Sequence, residues 1–193
     1  MRVPSSDIER RKRRRRRRIQ VIVIYTAIAV GLAWFFELQA TTTVIFVRHA
    51  EKAAMPADDP GLSPAGQRRV AELTRQLADA DVVAGVDAVY STPYRRTEET
   101  ARPVADALSL PINTYDAADT EAIMEHIVKV HKGKVILVVG HSNTVPALIG
   151  NMGASKRVPE IAEDEYDNIY IVSIPWFGKT KTIRLRYGEP YAP

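Results

Sequence analysis

The sequence predicts an α/β domain: a three-layer α/β/α sandwich with a mainly parallel central sheet and a C-terminal antiparallel hairpin, preceded by one transmembrane helix. Three observations carry this expectation. From residue 41 onward, apolar runs of strand length alternate with longer segments of helical period. One of those runs, "KVILVVG" (134–140), is apolar from Val135 to Val139 without a break, as in a strand covered on both faces. Residues 19–36 carry no charge, and as a helix they would span roughly 27 Å, close to a bilayer core.

The N-terminal region reads as two segments. Residues 1–18 form a basic tail, with nine consecutive basic residues from Arg10 to Arg18. Residues 19–37 read as the transmembrane helix, with Trp34, Phe35 and Phe36 at the far end, where an aromatic belt is expected. No basic residue follows until Arg48. The positive-inside rule then places the N-terminus in the cytoplasm and residues 41–193 across the membrane, as a single-pass protein. A cleaved signal peptide ending near Ala40 is the alternative. It is the weaker one, because Leu38 is not small and the apolar run is longer than a typical signal core. The arginine run reads as a solvated tail drawn to anionic lipid headgroups.

Charge is divided in the same way. Residues 1–18 hold ten of the 27 basic and two of the 23 acidic residues, which leaves 17 basic and 21 acidic residues, net −4, for the rest. The basic balance of the whole chain belongs to the tail, so no nucleic-acid partner is expected for the domain. The chain has no cysteine, which excludes disulfides, thiolate nucleophiles and cysteine-ligated zinc.

Within residues 41–193, "TTTVIFV" reads as the first strand and "MPADDPG" as a loop. "SPAGQRRVAELTRQLADA" reads as a helix with Ser63 as N-cap, Pro64 at its first position and Val70, Leu73 and Leu77 on one face. "VDAVYS" is a second strand, and "RRTEETARPVADALS" a helix strained or shifted by Pro103. "PINTY" is a short strand. "TEAIMEHIVKVHKG" is a helix ending at Gly133, followed by the central strand and by the helix "NTVPALIGNMG". "DNIYIVSIPWF" and "KTKTIRLRY" alternate like strands and flank Gly178, hence a hairpin. Trp176 and Phe177 in that hairpin read either as sheet-edge core or as a membrane-facing contact.

Three of the strands end in residues that cores exclude. The first ends in Arg48-His49-Ala50-Glu51, the second leads into "STPYRRTEETA", and the central one ends in Gly140-His141-Ser142-Asn143. In a parallel sheet these ends share one edge. Two imidazoles and two or three arginines meeting there, with no metal-like cluster, point to anion chemistry. Arginine binds phosphate bidentately and stays charged, and a neutral, oriented histidine can be a nucleophile toward phosphorus. His126 and His131, five apart on a helix, are expected at exposed positions rather than on a metal.

These stretches resemble, in order, the motifs of the histidine phosphatase (phosphoglycerate mutase-like) superfamily. "FVRHAEK" is similar to its Arg-His-x-Glu signature and "LSPAGQRRV" to its Leu-(Ser/Thr)-x-x-Gly-x-x-Gln element. "YSTPYRRTEETA" resembles its Ser-x-Pro-x-x-Arg-Ala-x-x-Thr-Ala element, with Thr97 in place of the commoner alanine. "VVGHSNTVPAL" resembles its second-histidine motif in a form found in small phosphatases. The resemblance covers most of residues 43–150.

That resemblance implies His49 as the nucleophile, forming a phosphohistidine. Arg48 and Arg96 would hold the phosphoryl oxygens, with Arg96 preferred to Arg95 by its spacing from Pro93 and Thr100. His141 would donate a hydrogen bond to the transferring group, and Glu51 would have a supporting role. Apart from the resemblance, Asn143 reads as an N-cap whose helix N-terminus helps bind the phosphate. The position of a general acid varies between branches. Asp116 and Asp119 are the candidates, and both also read as turn or cap residues. No metal and no cofactor is implied.

The function expected is a membrane-anchored phosphomonoesterase. The alternatives are a phosphohistidine-protein phosphatase and a non-catalytic phosphate-binding module. The domain lacks room for the long insertion that phosphoglycerate mutases carry. Its substrate would be a phosphorylated small molecule, an envelope saccharide phosphate or a phosphoprotein.

Overall fold

In chain order the elements are α1 (Ser5–Leu38), β1 (Thr41–Arg48), α2 (Pro64–Asp79), β2 (Ala88–Ser91), α3 (Arg95–Ala107), β3 (Ile112–Thr114), α4 (Thr120–Val130), β4 (Val135–Gly140), α5 (Thr144–Asn151), β5 (Asn168–Pro175) and β6 (Lys181–Arg186). They are taken from a computed structural model that describes residues 5–38, 41–79, 85–154 and 158–192. The chain divides into two units, residues 1–39 and 40–193.

The first unit is a helix of 34 residues. It is continuous through the arginine run, which the sequence suggested only as a tail. Arginine is among the better helix formers, and this offsets the like-charge repulsion along the run. Among the described residues this is the one helix long and apolar enough to cross a membrane. The alternative cleavage point near Ala40 lies outside the described residues.

The second unit is built on a six-stranded sheet of order β3-β2-β4-β1-β5-β6. The four strands β1 to β4 run parallel, and β5 and β6 add antiparallel strands beyond β1. The central pair is β1 and β4. Alternation along each of them sends side chains to two separate cores. Val44, Phe46, Ile136 and Val138 meet Ile127, Leu148 and Ile149 of α4 and α5 on one face. Ile45, Val47, Leu137 and Val139 meet Leu73, Ala101 and Val104 of α2 and α3 on the other. This is the expected three-layer sandwich. Each fully buried aliphatic side chain contributes about 1.5–3 kcal/mol, so the central strands are held firmly and their C-terminal ends are fixed in space.

Helix starts follow from local chemistry. Ser63 Oγ accepts from the Gly66 amide at 3.1 Å, which caps α2, and Asp119 Oδ1 accepts from the Ala122 amide at 3.0 Å, which caps α4. Helix α3 has no cap from its own N-cap residue, Tyr94. Asp59, from the loop after β1, accepts from the Arg95 amide at 3.0 Å and takes that role. Pro103 lies inside α3, which continues through it. Gly66 is required by packing: a Cβ there would stand 2.3 Å from the carbonyl oxygen of Glu51.

One expectation is corrected here, and one of two open readings is excluded. His131 is not a free surface residue; it is half-buried, and its Nε2 lies 2.8 Å from the Tyr90 hydroxyl. Trp176 and Phe177 are not sheet-edge core; they are 71% and 90% exposed, just beyond β5.

Candidate active site

Strand register assembles the site. Arg48 pairs with Gly140 across β1 and β4, so His49 and His141 are the next residue on each strand. The His49 amide continues the ladder by donating to the Gly140 carbonyl at 2.9 Å. Their rings stand 5.4 Å apart, centroid to centroid, and are tilted by 64°. Gly140 must be small, because a Cβ would meet Thr144 Oγ1 and the Tyr115 hydroxyl at 3.0 Å each. The residues open into a cleft of ≈ 580 Å³, lined among others by Arg48, His49, Arg96, Asp116, His141 and Asn143.

His49 is oriented by one hydrogen bond. Its Nδ1 lies 2.8 Å from the Ala50 carbonyl oxygen, which can only accept. Nδ1 therefore carries the proton, and Nε2 keeps its lone pair for the cleft. Burial, with Arg48, His141 and Arg96 adding to it, lowers the pKa of His49 to about 3, against a weaker opposing effect of the Ala50 bond. The ring is neutral at physiological pH, as a nucleophile must be.

His141 is oriented through a chain of hydroxyls. Its Nε2 lies 3.0 Å from Thr92 Oγ1, which lies 2.7 Å from Thr97 Oγ1. Thr97 Oγ1 donates to the Tyr94 carbonyl at 2.7 Å. With the Thr97 proton spent there, Thr92 donates to Thr97, and His141 Nε2–H donates to Thr92. This leaves Nδ1 as the ring nitrogen able to meet a substrate. Burial, then Arg96 and Arg48, lower the pKa of His141 to about 4. A bound dianion would oppose all three effects and draw a proton onto the ring.

The two arginines differ. Arg96 is partly exposed, its guanidinium is 4.6 Å from the Tyr94 ring, and its nearest acid is Asp59 at 3.8 Å. Arg95 points elsewhere and pairs with Glu99 at 2.6 Å. Arg48 is buried, and most of its donors are already engaged. It donates to the carbonyls of Ala162, Glu163 and Glu165 at 2.6, 2.7 and 3.1 Å, and Tyr166 stacks at 4.2 Å. Its Nε–H is buried without a partner. Arg48 thus has two roles available: it pins the 162–165 segment, and it keeps Nε for an anion.

Other candidate residues are placed as follows. Glu51 turns away from the cleft and accepts from Arg69 Nε at 2.8 Å. Asp116 lines the cleft, with Oδ1 accepting from the Ala118 amide at 2.9 Å. Asp119 caps α4 and does not line it. Asn143 stands at the N-cap position of α5 with helical backbone angles and makes no capping bond; Thr144 Oγ1 accepts from the His141 amide instead. The Asn143 side chain is therefore left to the cleft, beside the positive end of α5.

Sequence reasoning missed Lys52, Tyr94, Glu163 and Tyr166, which also line the cleft. Tyr94 sits inside a recognised motif and had a readable signal. Glu163 and Tyr166 come from a segment without one. Among the described residues, no three His, Asp or Glu side chains are grouped to hold a metal ion.

Comparisons with known proteins bear on the fold and on part of the sequence. The model of the histidine phosphatase superfamily (branch 1) matches residues 44–119. No curated protein sequence matches significantly. Among solved structures, the protein histidine phosphatase SixA complexed with tungstate is 20% identical, with a TM-score of 0.59, over 75% of this chain and 96% of that one. A mycobacterial glucosyl-3-phosphoglycerate phosphatase is 11% identical, with a TM-score of 0.57, over 76% of this chain and 98% of that one. The phosphoserine phosphatase of Entamoeba histolytica, complexed with 3-phosphoglyceric acid, is 14% identical, with a TM-score of 0.56, over 77% of this chain and 97% of that one. This chain has the histidine phosphatase fold, and the stretch that carries Arg48, His49 and Arg96 matches the superfamily's own model.

Proposed function

We propose that this protein is a metal-independent phosphomonoesterase that works through a phosphohistidine on His49. The observation that carries the reading is the Nδ1 contact to the Ala50 carbonyl, which leaves a neutral Nε2 lone pair in a cleft rich in cations. In the first step the Nε2–P bond forms as the ester P–O bond breaks, and the leaving oxygen takes a proton. In the second, water attacks phosphorus, the P–N bond breaks, and inorganic phosphate and a proton are released. Arg96, Arg48 Nε and protonated His141 neutralise the equatorial oxygens, which is most of what phosphoryl transfer asks of a protein. Asn143 and the α5 N-terminus add to the same site. Asp116 is the favoured proton donor, because Asp119 is committed to its cap and Asp116 lines the cleft.

The chain is read as anchored by residues 19–37, with the N-terminus cytoplasmic and the catalytic domain on the other side. The Arg10–Arg18 run supports that orientation, and anionic headgroups are its expected contact. The substrate is a phosphorylated small molecule, an envelope saccharide phosphate or a phosphoprotein. Phosphohistidine-protein phosphatase activity is the second reading. A site in which Asp116 gives no acid help would favour it, since a phosphoramidate has a good leaving group.

The test is turnover of p-nitrophenyl phosphate and of phosphohistidine peptide by the full chain in detergent with EDTA, beside His49→Ala. Turnover lost in the variant supports the reading. A folded wild type that binds phosphate but turns over neither substrate would make it a phosphate-binding module.

A further inference from the structure

The turn between β5 and β6 is unlike an ordinary hairpin tip, which is small and polar. It reads Pro175-Trp176-Phe177-Gly178-Lys179, with Trp176 71% and Phe177 90% exposed. No acidic residue lies between Ser173 and Arg184, while Lys179 and Lys181 follow the aromatic pair. In a domain of net negative charge this is a local basic and aromatic point. Adjacent exposed large aromatics followed by lysines match the composition of a membrane interface, where the rings sit at headgroup level and lysines meet anionic lipid.

The position of the tip in the sheet agrees with this. Thr41 pairs with Pro175, so the tip begins beside the N-terminal end of β1. The uncharged run ends at Phe36, five residues before Thr41, which covalent geometry keeps within about 18 Å. Within the domain, the tip therefore begins at the end of β1 that lies nearest in sequence to the uncharged run. His49 follows the opposite end of β1, about 26 Å along the strand.

We propose that Trp176 and Phe177, with Lys179 and Lys181, rest in the headgroup region of the bilayer that α1 crosses. The tip is then a membrane contact of the domain itself, and His49 follows the end of β1 away from it. This rests on the membrane-anchor reading. Its consequence is that the phosphate group reaches His49 from water and not from within the lipid surface.

The chain has two tryptophans, Trp34 and Trp176, which makes the test direct. Full-length Trp34→Phe and Trp176→Phe are reconstituted separately into vesicles of phosphatidylcholine with anionic phosphatidylglycerol, with and without brominated acyl chains. Trp34 fluorescence reports the span, and Trp176 fluorescence reports the tip. The proposal expects quenching of both, with Trp176 emission blue-shifted and roughly halved. It also expects Lys179→Glu with Lys181→Glu to relieve quenching of Trp176 and leave that of Trp34 unchanged. Quenching of Trp34 alone would overturn the proposal and leave the anchor standing. Quenching of neither would overturn both.

Discussion

His49 and His141 are neighbours because Arg48 pairs with Gly140: two residues 92 positions apart are set side by side by the register of β1 on β4. A slip of one residue would turn every side chain of β1 to the other face. The two separate cores, with Phe46 on one face and Val47 on the other, resist that slip. Core packing and the geometry of the candidate site are the same structural fact in this molecule.

The arginines are expected to separate by function. Arg96→Ala removes a cation from the cleft without disturbing a buried contact. It should lower kcat/KM by about a hundredfold or more with little change in Tm. Arg95→Ala, which loses an exposed pair with Glu99, should stay within about twofold on kcat/KM. Steady-state kinetics beside thermal melts of both variants check this, and equal losses would contradict it.

Arg48→Ala is expected to behave differently from Arg96→Ala. It strips donors from three backbone carbonyls of the 162–165 segment as well as from the cleft. Stability should fall by about 3 kcal/mol alongside activity. Denaturant melts decide this, and an unchanged midpoint would show that the segment is held by other means.

Thr97→Ala shortens the hydroxyl chain that orients His141. The loss should appear in kcat, roughly fivefold, corresponding to about 1 kcal/mol for one hydrogen bond. The alkaline limb of the kcat profile should move down, because His141 holds its proton less well in the complex. An unaltered profile would mean that the chain does not set the tautomer.

Acid should destabilise the protein through these two rings. His49 is held at about 3 and His141 at about 4, both below the ordinary 6.5. The unfolded chain binds more protons in that interval, so stability rises with pH there. The contribution is fully present above about 6.5 and is lost as pH falls through about 4 for His141 and about 3 for His49. Replacing both histidines with asparagine should flatten the decline in Tm between pH 6.5 and 4.5. An identical slope in the variant would contradict the assignment.

Much of the fold was legible because its signals are local. Val135 to Val139 could only be a covered strand, and the Ser63-Pro64 cap announces α2 in four residues. The motif histidines and arginines were legible because strand ends concentrate them on one edge. The orientation of Glu51 was not, because its partner Arg69 is met only after α2 folds back. Nor was the role of the 162–166 segment, whose carbonyls and Tyr166 are drawn in by a buried arginine more than 110 residues away. Asp119 shows the reverse case: its cap-like placement before "TEAIMEH" was readable, and the cap is what the structure shows.

The central claim is that His49 carries the phosphoryl group. The most direct measurement is to mix the full chain with a reactive phosphoramidate donor, quench it in alkali within milliseconds, and map the modification by mass spectrometry. The account predicts one phosphoryl group on His49, stable to alkali, lost in acid, and absent from His49→Ala. Turnover with no phosphohistidine at any time point, or with the label on another residue, would contradict it.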